Sequence, residues 1–330
     1  MSLLASQFAK QVLQLAAFCG TATGTMSSVF SDDAINFSAQ ATPSAQSSNS
    51  IIGVAYGNGI FVIIADNSPG GSAFVSNNGI TWGGPFTMPT SGALGWGGVS
   101  FANGVFVAWP VASGSPNAVT YSTDGINWTL VSSPFGAAYT RRLGVANSGT
   151  FYSCAAGAVN AYQSTNGSSW TATGSNFPGS ATADWLTQDA NGGLYTMLLP
   201  VNASTVTTAY YTASAGSITW TARSLGTAVG FNDTLFAFGN STYLVAGEDS
   251  AFNCQIQTSS VGTGTWTTTS LSGSGRVTGL KFVNGLFVLS TINTSNNQMS
   301  VHTSSNGTSW ATPFSFTGFN TIPYFSVLNP

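Results

Sequence analysis

The chain has 330 residues, of which six are Lys or Arg and nine are Asp or Glu, for a formal net charge of −3. Only 5% of residues are charged, against ~25% in ordinary soluble domains. This excludes a basic surface for nucleic acid and a coiled coil, which needs Glu, Lys and Arg, while 43% hydrophobic residues argue against disorder.

The N-terminal segment carries one Lys and a short apolar run, Val12 to Cys19, and no stretch in the sequence approaches the ~18 apolar residues of a membrane span. Phe18 is too bulky for cleavage before Cys19, so the segment is not read as a secretion signal. Residues 1–11 are expected to be an arm or docking segment, and residues 12–330 to form one domain. Leu4, Phe8, Val12 and Leu15 also fit a short amphipathic helix. Residues 7–13 also resemble a strand beginning a repeat, so the role of this end stays open.

From Ser31 onward one motif recurs. Its clearest copy is Tyr121-Ser122-Thr123-Asp124-Gly125-Ile126-Asn127-Trp128. Others run from Ser31 to Phe37, Ser76 to Trp82, Ser164 to Trp170 and Ser304 to Trp310, with degenerate copies from Ser214 to Trp220 and Ser260 to Trp266. The aromatics Phe37, Trp82, Trp128, Trp170, Trp220, Trp266 and Trp310 are 42 to 50 residues apart. A recurrent Trp at a period of ~40–50 residues marks propeller blades.

A second element lies between the Trp motifs, with Asn-Gly set among alternating apolar residues. Asn58-Gly59, Asn103-Gly104 and Asn284-Gly285 are its best copies. Asn-Gly accepts positive φ at both turn positions and so predicts a tight type I′ hairpin. Two hairpins per period make a four-stranded meander. In the second period the strands are expected near 51–57, 60–65, 72–77 and 80–87. The expected fold is therefore all-β, a seven-bladed β-propeller of four-stranded antiparallel blades. Residues 324–330 end like a first strand at its turn, and residues upstream of Ser31 supply strands near 12–19 and 25–31. The C-terminal strand is thus expected to join the N-terminal blade and close the ring, which removes a free edge.

The Ser-x-Asp-Gly-x-x-Trp runs resemble the Asp-box (BNR) hairpins of sialidase-type propellers, over essentially the whole chain. The motif is one residue shorter than the usual family form, and Asn78, Asn166 and Asn306 stand where Asp124 keeps the acid. Either side chain can accept backbone N–H bonds in a turn. The resemblance implies that the motif is structural and that its aromatic packs against a neighbouring blade.

Sialidase chemistry in that family uses an arginine triad, a Tyr–Glu pair and an acidic Asp. This chain has four arginines, Arg141, Arg142, Arg223 and Arg276, and one glutamate, Glu248. Arg141 and Arg142 are adjacent, so strict alternation along a strand would send them to opposite faces. The single histidine, His302, and three scattered cysteines give neither a Ser–His–Asp set nor a zinc site. Glu248-Asp249 is read as a polar turn. No catalytic residue, metal or cofactor is expected.

Both turn motifs fall on one face of the ring. The longer, variable connections (38–50, 109–118, 129–138, 198–207 and 291–298) fall on the other, where variable loops on a rigid scaffold carry specificity. Asp66, Arg141, Arg142, Asp184, Arg223, Glu248, Asp249 and Arg276 map to this second face. A ligand site is expected there around Trp109, Tyr139, Arg142, Trp185 and Glu248, the aromatics offering stacking surfaces for carbohydrate.

The functional expectation is a non-enzymatic virion protein of a bacteriophage: receptor binding at a tail fibre or tail tip, or capsid decoration. Its partners would be other virion proteins, copies of itself or a host cell-surface glycan, with no nucleic acid and no membrane insertion. A neutral surface suits dense packing of identical copies, and phage structural proteins resemble this chain in style. The alternative is a secreted, extracellular lectin-like glycan binder; a glycoside hydrolase ranks below both. An assembly factor of the kind known among Asp-box propellers at photosynthetic membranes fits poorly, because those carry a cationic patch.

Overall fold

A computed structural model of the chain describes residues 14–19, 27–31, 38–41, 51–66, 70–79, 81–90, 95–110, 117–135, 139–145, 149–156, 160–176, 182–188, 194–199, 206–212, 219, 221–229, 235–249, 253–271, 275–283, 285–293, 295–296, 298–317 and 324–328. The expected arm at 1–11, Phe37 and Trp220 lie outside them.

The described strands pair into seven four-stranded antiparallel sheets. Sheet 1 holds β1 (Gln14–Cys19), β2 (Ser27–Ser31), β3 (Ser38–Ala41) and, on its inner edge, β28 (Tyr324–Leu328). Sheet 2 is β4 (Ile51–Gly57), β5 (Ile60–Asp66), β6 (Gly71–Ser76) and β7 (Gly83–Thr87). Sheet 3 is β8 (Trp96–Ala102), β9 (Val105–Pro110), β10 (Ala118–Ser122) and β11 (Thr129–Ser132). Sheet 4 is β12 (Tyr139–Val145), β13 (Phe151–Ala156), β14 (Asn160–Ser164) and β15 (Thr171–Asn176). Sheet 5 is β16 (Thr182–Gln188), β17 (Leu194–Leu199), β18 (Val206–Thr212) and β19 (Thr221–Val229). Sheet 6 is β20 (Leu235–Gly239), β21 (Thr242–Glu248), β22 (Cys254–Ser259) and β23 (Thr267–Leu271). Sheet 7 is β24 (Arg276–Val283), β25 (Leu286–Asn293), β26 (Gln298–Ser304) and β27 (Phe314–Thr317).

The first strand of each meander is the inner one. β4 lies against β8, β8 against β12, β12 against β16, β16 against β20, β20 against β24, β24 against β28 and β28 against β4. The sheets thus stand around a common axis, a β-propeller. β28 pairs with β1 from Gln14↔Leu328 to Phe18↔Tyr324, so both ends of the described chain share one sheet.

The expectation of seven equivalent blades needs correction. Strands run from four to nine residues, so the blades are not uniform; among the described side chains, buried apolar packing forms five clusters. The physical unit of the core is the seam between sheets. One cluster joins sheets 2 and 3 through Val62, Ile64, Val99 and Phe106. Others join sheets 3 and 4 (Val107, Val119, Phe151), 5 and 6 (Leu225, Phe236, Val245) and 6 and 7 (Leu244, Ile256, Leu280, Phe287). The fifth covers the other face of sheet 2 with Ile51, Val54, Phe61 and Phe74. Strands buried on both faces lose the polar alternation of a one-sided sheet: Phe61 to Ala65 are all buried.

The turns differ from the uniform type I′ expectation. Asn58 (φ 51°) and Gly59 (φ 76°) are both left-handed, as are Asn103 and Gly104. In the Trp motif only the glycine is: Gly79 (φ 70°), Gly125 (φ 70°), Gly167 (φ 71°) and Gly307 (φ 76°). That connection is a side-chain-closed loop, so the last strand of sheet 2 starts at Gly83, not near residue 80.

Candidate functional site

The recurrent polar residues are mostly consumed by the scaffold. Ser122 Oγ accepts from Gly125 N (2.8 Å) and Asp124 N (3.2 Å) and donates to Asp124 Oδ1 (2.9 Å). Asp124 Oδ1 accepts from Ile126 N and Asn127 N, both 2.8 Å, and Oδ2 accepts from Asn127 Nδ2. Burial of the Asp124 carboxyl opposes ionisation, but these donors outweigh it and lower its pKa to about 2. Asn166 and Asn306 make the same pair of backbone bonds. Trp128, Trp170 and Trp310 donate from Nε1 to Gly125, Gly167 and Gly307 carbonyls at 3.0 Å. Trp128 packs at the seam of sheets 2 and 3, Trp170 at that of 3 and 4, and Trp310 at that of 6 and 7. Trp82 packs on the cluster with Ile51, Val54, Phe61 and Phe74 on the other face of sheet 2, and Trp266 is buried between sheets 5 and 6.

Two degenerate copies sit elsewhere than the constant Ser-to-Trp spacing places them. In sheet 6 the hydroxyl that accepts from Gly262 N (3.1 Å) is Ser259, not Ser260. In sheet 5 the strand-end position is Thr212, paired with Leu194 as Ser122 is with Phe106. Its Oγ1 accepts from Thr219 N at 3.1 Å. Longer loops moved the Trp away from its hydroxyl, so spacing alone misplaced it.

At the opposite end of the strands, the five expected site residues fall on sheets 3 to 6. Trp109 pairs with Gly98 on the inner strand β8. It is half-buried at the seam of sheets 3 and 4, and any Cβ on Gly98 would collide with its ring. Tyr139 opens β12 opposite Ala156, and Arg142 lies opposite Cys154. Trp185 lies on β16 opposite Met197. Glu248 ends β21, is 1% exposed, and its Oε1 accepts from Arg276 Nε at 3.4 Å. This ion pair joins sheets 6 and 7. Asp249 accepts from Asn253 N (2.8 Å) and Asn253 Nδ2, which closes the following loop.

The structure therefore brings β12 and β16 together with Arg142 and Trp185, and gives Trp109 and Glu248 packing roles. Sequence reasoning missed the register shifts. β4, β8, β12, β16 and β24 each shift by one residue at the same place: between Ile51 and Gly53, Trp96 and Gly98, Thr140 and Arg142, Ala183 and Trp185, and Val277 and Gly279. A bulge breaks strict alternation, so adjacency alone does not send Arg141 and Arg142 to opposite faces.

His302 is buried on β26, with Thr291 Oγ1 3.1 Å from its Nε2. Desolvation lowers its pKa to about 4. Cys254 is buried among Leu244, Ala246 and Ile256. Among the described residues no group of three or more His, Cys, Asp or Glu could hold a metal ion.

No family model matches the chain, and no curated protein matches it. Solved structures do. A protein from Lactobacillus plantarum aligns over 95% of this chain and 99% of its own, with TM-score 0.66 and 9% identity. The periplasmic gluconolactonase PpgL of Pseudomonas aeruginosa aligns over 97% and 100%, with TM-score 0.63 and 10% identity. YCF48 from Cyanidioschyzon merolae aligns over 81% and 87%, with TM-score 0.57 and 13% identity. At such identities the likeness is one of fold: the chain is similar to β-propeller proteins of differing function.

Proposed function

We propose that the chain is a non-enzymatic binding and assembly propeller, a bacteriophage virion protein that decorates the particle or contacts a host surface. The supporting observation is the use of its ionisable groups. Asp124 is fully engaged inside its hairpin, Glu248 is paired with Arg276, and His302 is buried with a depressed pKa. An acid or base for catalysis needs reach to a substrate proton, and these three are committed to the scaffold. The hairpins' hydrogen bonding also supports kinship with Asp-box propellers. Enzymes stand among the fold neighbours, including virginiamycin B lyase from Staphylococcus aureus, but at 10% identity their activity does not carry over.

The test is immunogold labelling and mass spectrometry of density-purified particles from the source of the chain. The protein is expected at a fixed ratio to the major capsid protein. Recovery only in the particle-free fraction would overturn the virion reading and favour the secreted glycan binder.

A further inference from the structure

The pairing register puts seven residues at one level of the ring, one from each inner strand. Counted from the hydroxyl residue that ends each third strand, they are Tyr324, Gly53, Gly98, Arg142, Trp185, Leu235 and Gly279. Glycine recurs for a steric reason. A Cβ on Gly53 would stand 2.9 Å from Val99 N and 3.0 Å from Gly98 Cα, so β4 and β8 approach backbone to backbone. Leu235 is absorbed into the core between sheets 6 and 7. Just before this level, the shifted strands carry their extra residues: Ile52, Gly97, Arg141, Asp184 and Thr278. Three of these are uncharged. The two charged ones, Arg141 and Asp184, stand on β12 and β16, adjacent strands that also replace glycine with Arg142 and Trp185.

Arg141, Arg142, Asp184 and Trp185 thus occupy the matching bulges of two neighbouring inner strands. Bulges are enriched next to binding sites, where they re-aim side chains. We propose that this juxtaposition is a binding site for a saccharide bearing carboxylates. Guanidinium groups recognise carboxylates through paired N–H donors. An indole offers the apolar face on which a sugar ring stacks, and an Asp carboxylate accepts from sugar hydroxyls. This deepens the surface-binding part of the proposed function by naming the ligand class, but it does not depend on the chain being in a virion.

The experiment is calorimetric titration of the full chain with tri-galacturonic acid and, separately, with its methyl ester, which keeps the sugar and removes the charge. Saturable binding of the acid is expected, at least tenfold weaker for the ester. Arg142→Gln and Trp185→Ala are each expected to weaken it tenfold or more, with thermal melts showing that both variants fold. Thr278→Ala, at the matching bulge of sheet 7, is expected to leave it unchanged. No binding, equal binding of acid and ester, or affinity indifferent to both substitutions would overturn the site. Because the titration uses purified chain alone, its failure is separate from failure to find the protein in particles.

Discussion

Asn58 Nδ2 donates to the Gly104 carbonyl at 2.9 Å, across the seam from sheet 2 to sheet 3, and to the Thr123 carbonyl at 2.9 Å. Asn103 repeats this toward Gly149 and Thr165, and Asn240 toward Gly285 and Ser305. One residue thus bends the first hairpin of a sheet and ties it to both hairpins of the next. The tie is neutral, so it joins neighbouring sheets without drawing on the chain's few charges.

Replacement separates the two roles. Asn58→Gly keeps the left-handed turn and removes the tie, and is expected to cost about 1–2 kcal/mol. Asn58→Asp tolerates the turn but offers an acceptor to two carbonyls, so it is expected to cost more than the Gly variant. Urea unfolding of both variants measures the order. Unchanged stability of Asn58→Gly would show that the tie contributes nothing.

Gly59 and Gly125 have similar positive φ, 76° and 70°, but different surroundings. Nothing lies within 4 Å of a Cβ on Gly59, whereas one on Gly125 would be 2.5 Å from Val62 Cγ2 and 2.9 Å from Val75 Cγ1. Gly59→Ala is expected to cost only backbone strain, about 1–2 kcal/mol. Gly125→Ala adds overpacking of the seam, a further ~1–3 kcal/mol. Thermal melts of the two variants compare them directly.

The Glu248–Arg276 pair joins sheets 6 and 7 with the carboxylate side chain fully buried and the guanidinium 22% exposed. Removing only the cation, as in Arg276→Met, leaves a buried charge and is expected to cost about 3–5 kcal/mol. The double variant Arg276→Met with Glu248→Gln is expected to recover much of that loss. A double variant no more stable than the single would show that the pair is not coupled.

The hairpin grammar was legible because its parts are local. Asn58-Gly59 and Ser122 to Trp128 each close within a few residues, so spacing finds them. The seams were not legible, because Asn58 and Gly104 meet only when two sheets stack, and no local pattern records that. Thr212 and Ser259 escaped because loop length changed while pairing did not. Of the proposed site, Arg142 and Trp185 were expected from residue type and predicted face. Arg141 and Asp184 needed the pairing register, since a bulge leaves no compositional mark. Trp109 stands over Gly98 at the seam of sheets 3 and 4, a contact that no local pattern records.

His302 gives the chain a pH dependence whose direction is fixed. Its pKa is lowered by burial to about 4 in the folded chain, against ~6.5 unfolded. Between those values the unfolded chain binds more protons, so stability falls as pH drops from about 6.5 to about 4. The loss from this group is expected to reach on the order of 3 kcal/mol by the lower limit. Asp124 acts in a separate window: its folded pKa is about 2, so its contribution is present above ~3.9 and is lost as pH falls from there to the folded pKa. His302→Gln is expected to remove the slope between pH 6.5 and 4 and leave the one below 3.9. Urea titrations of both proteins across pH 3–7 measure this, and an unchanged slope in His302→Gln would assign the proton uptake to another group.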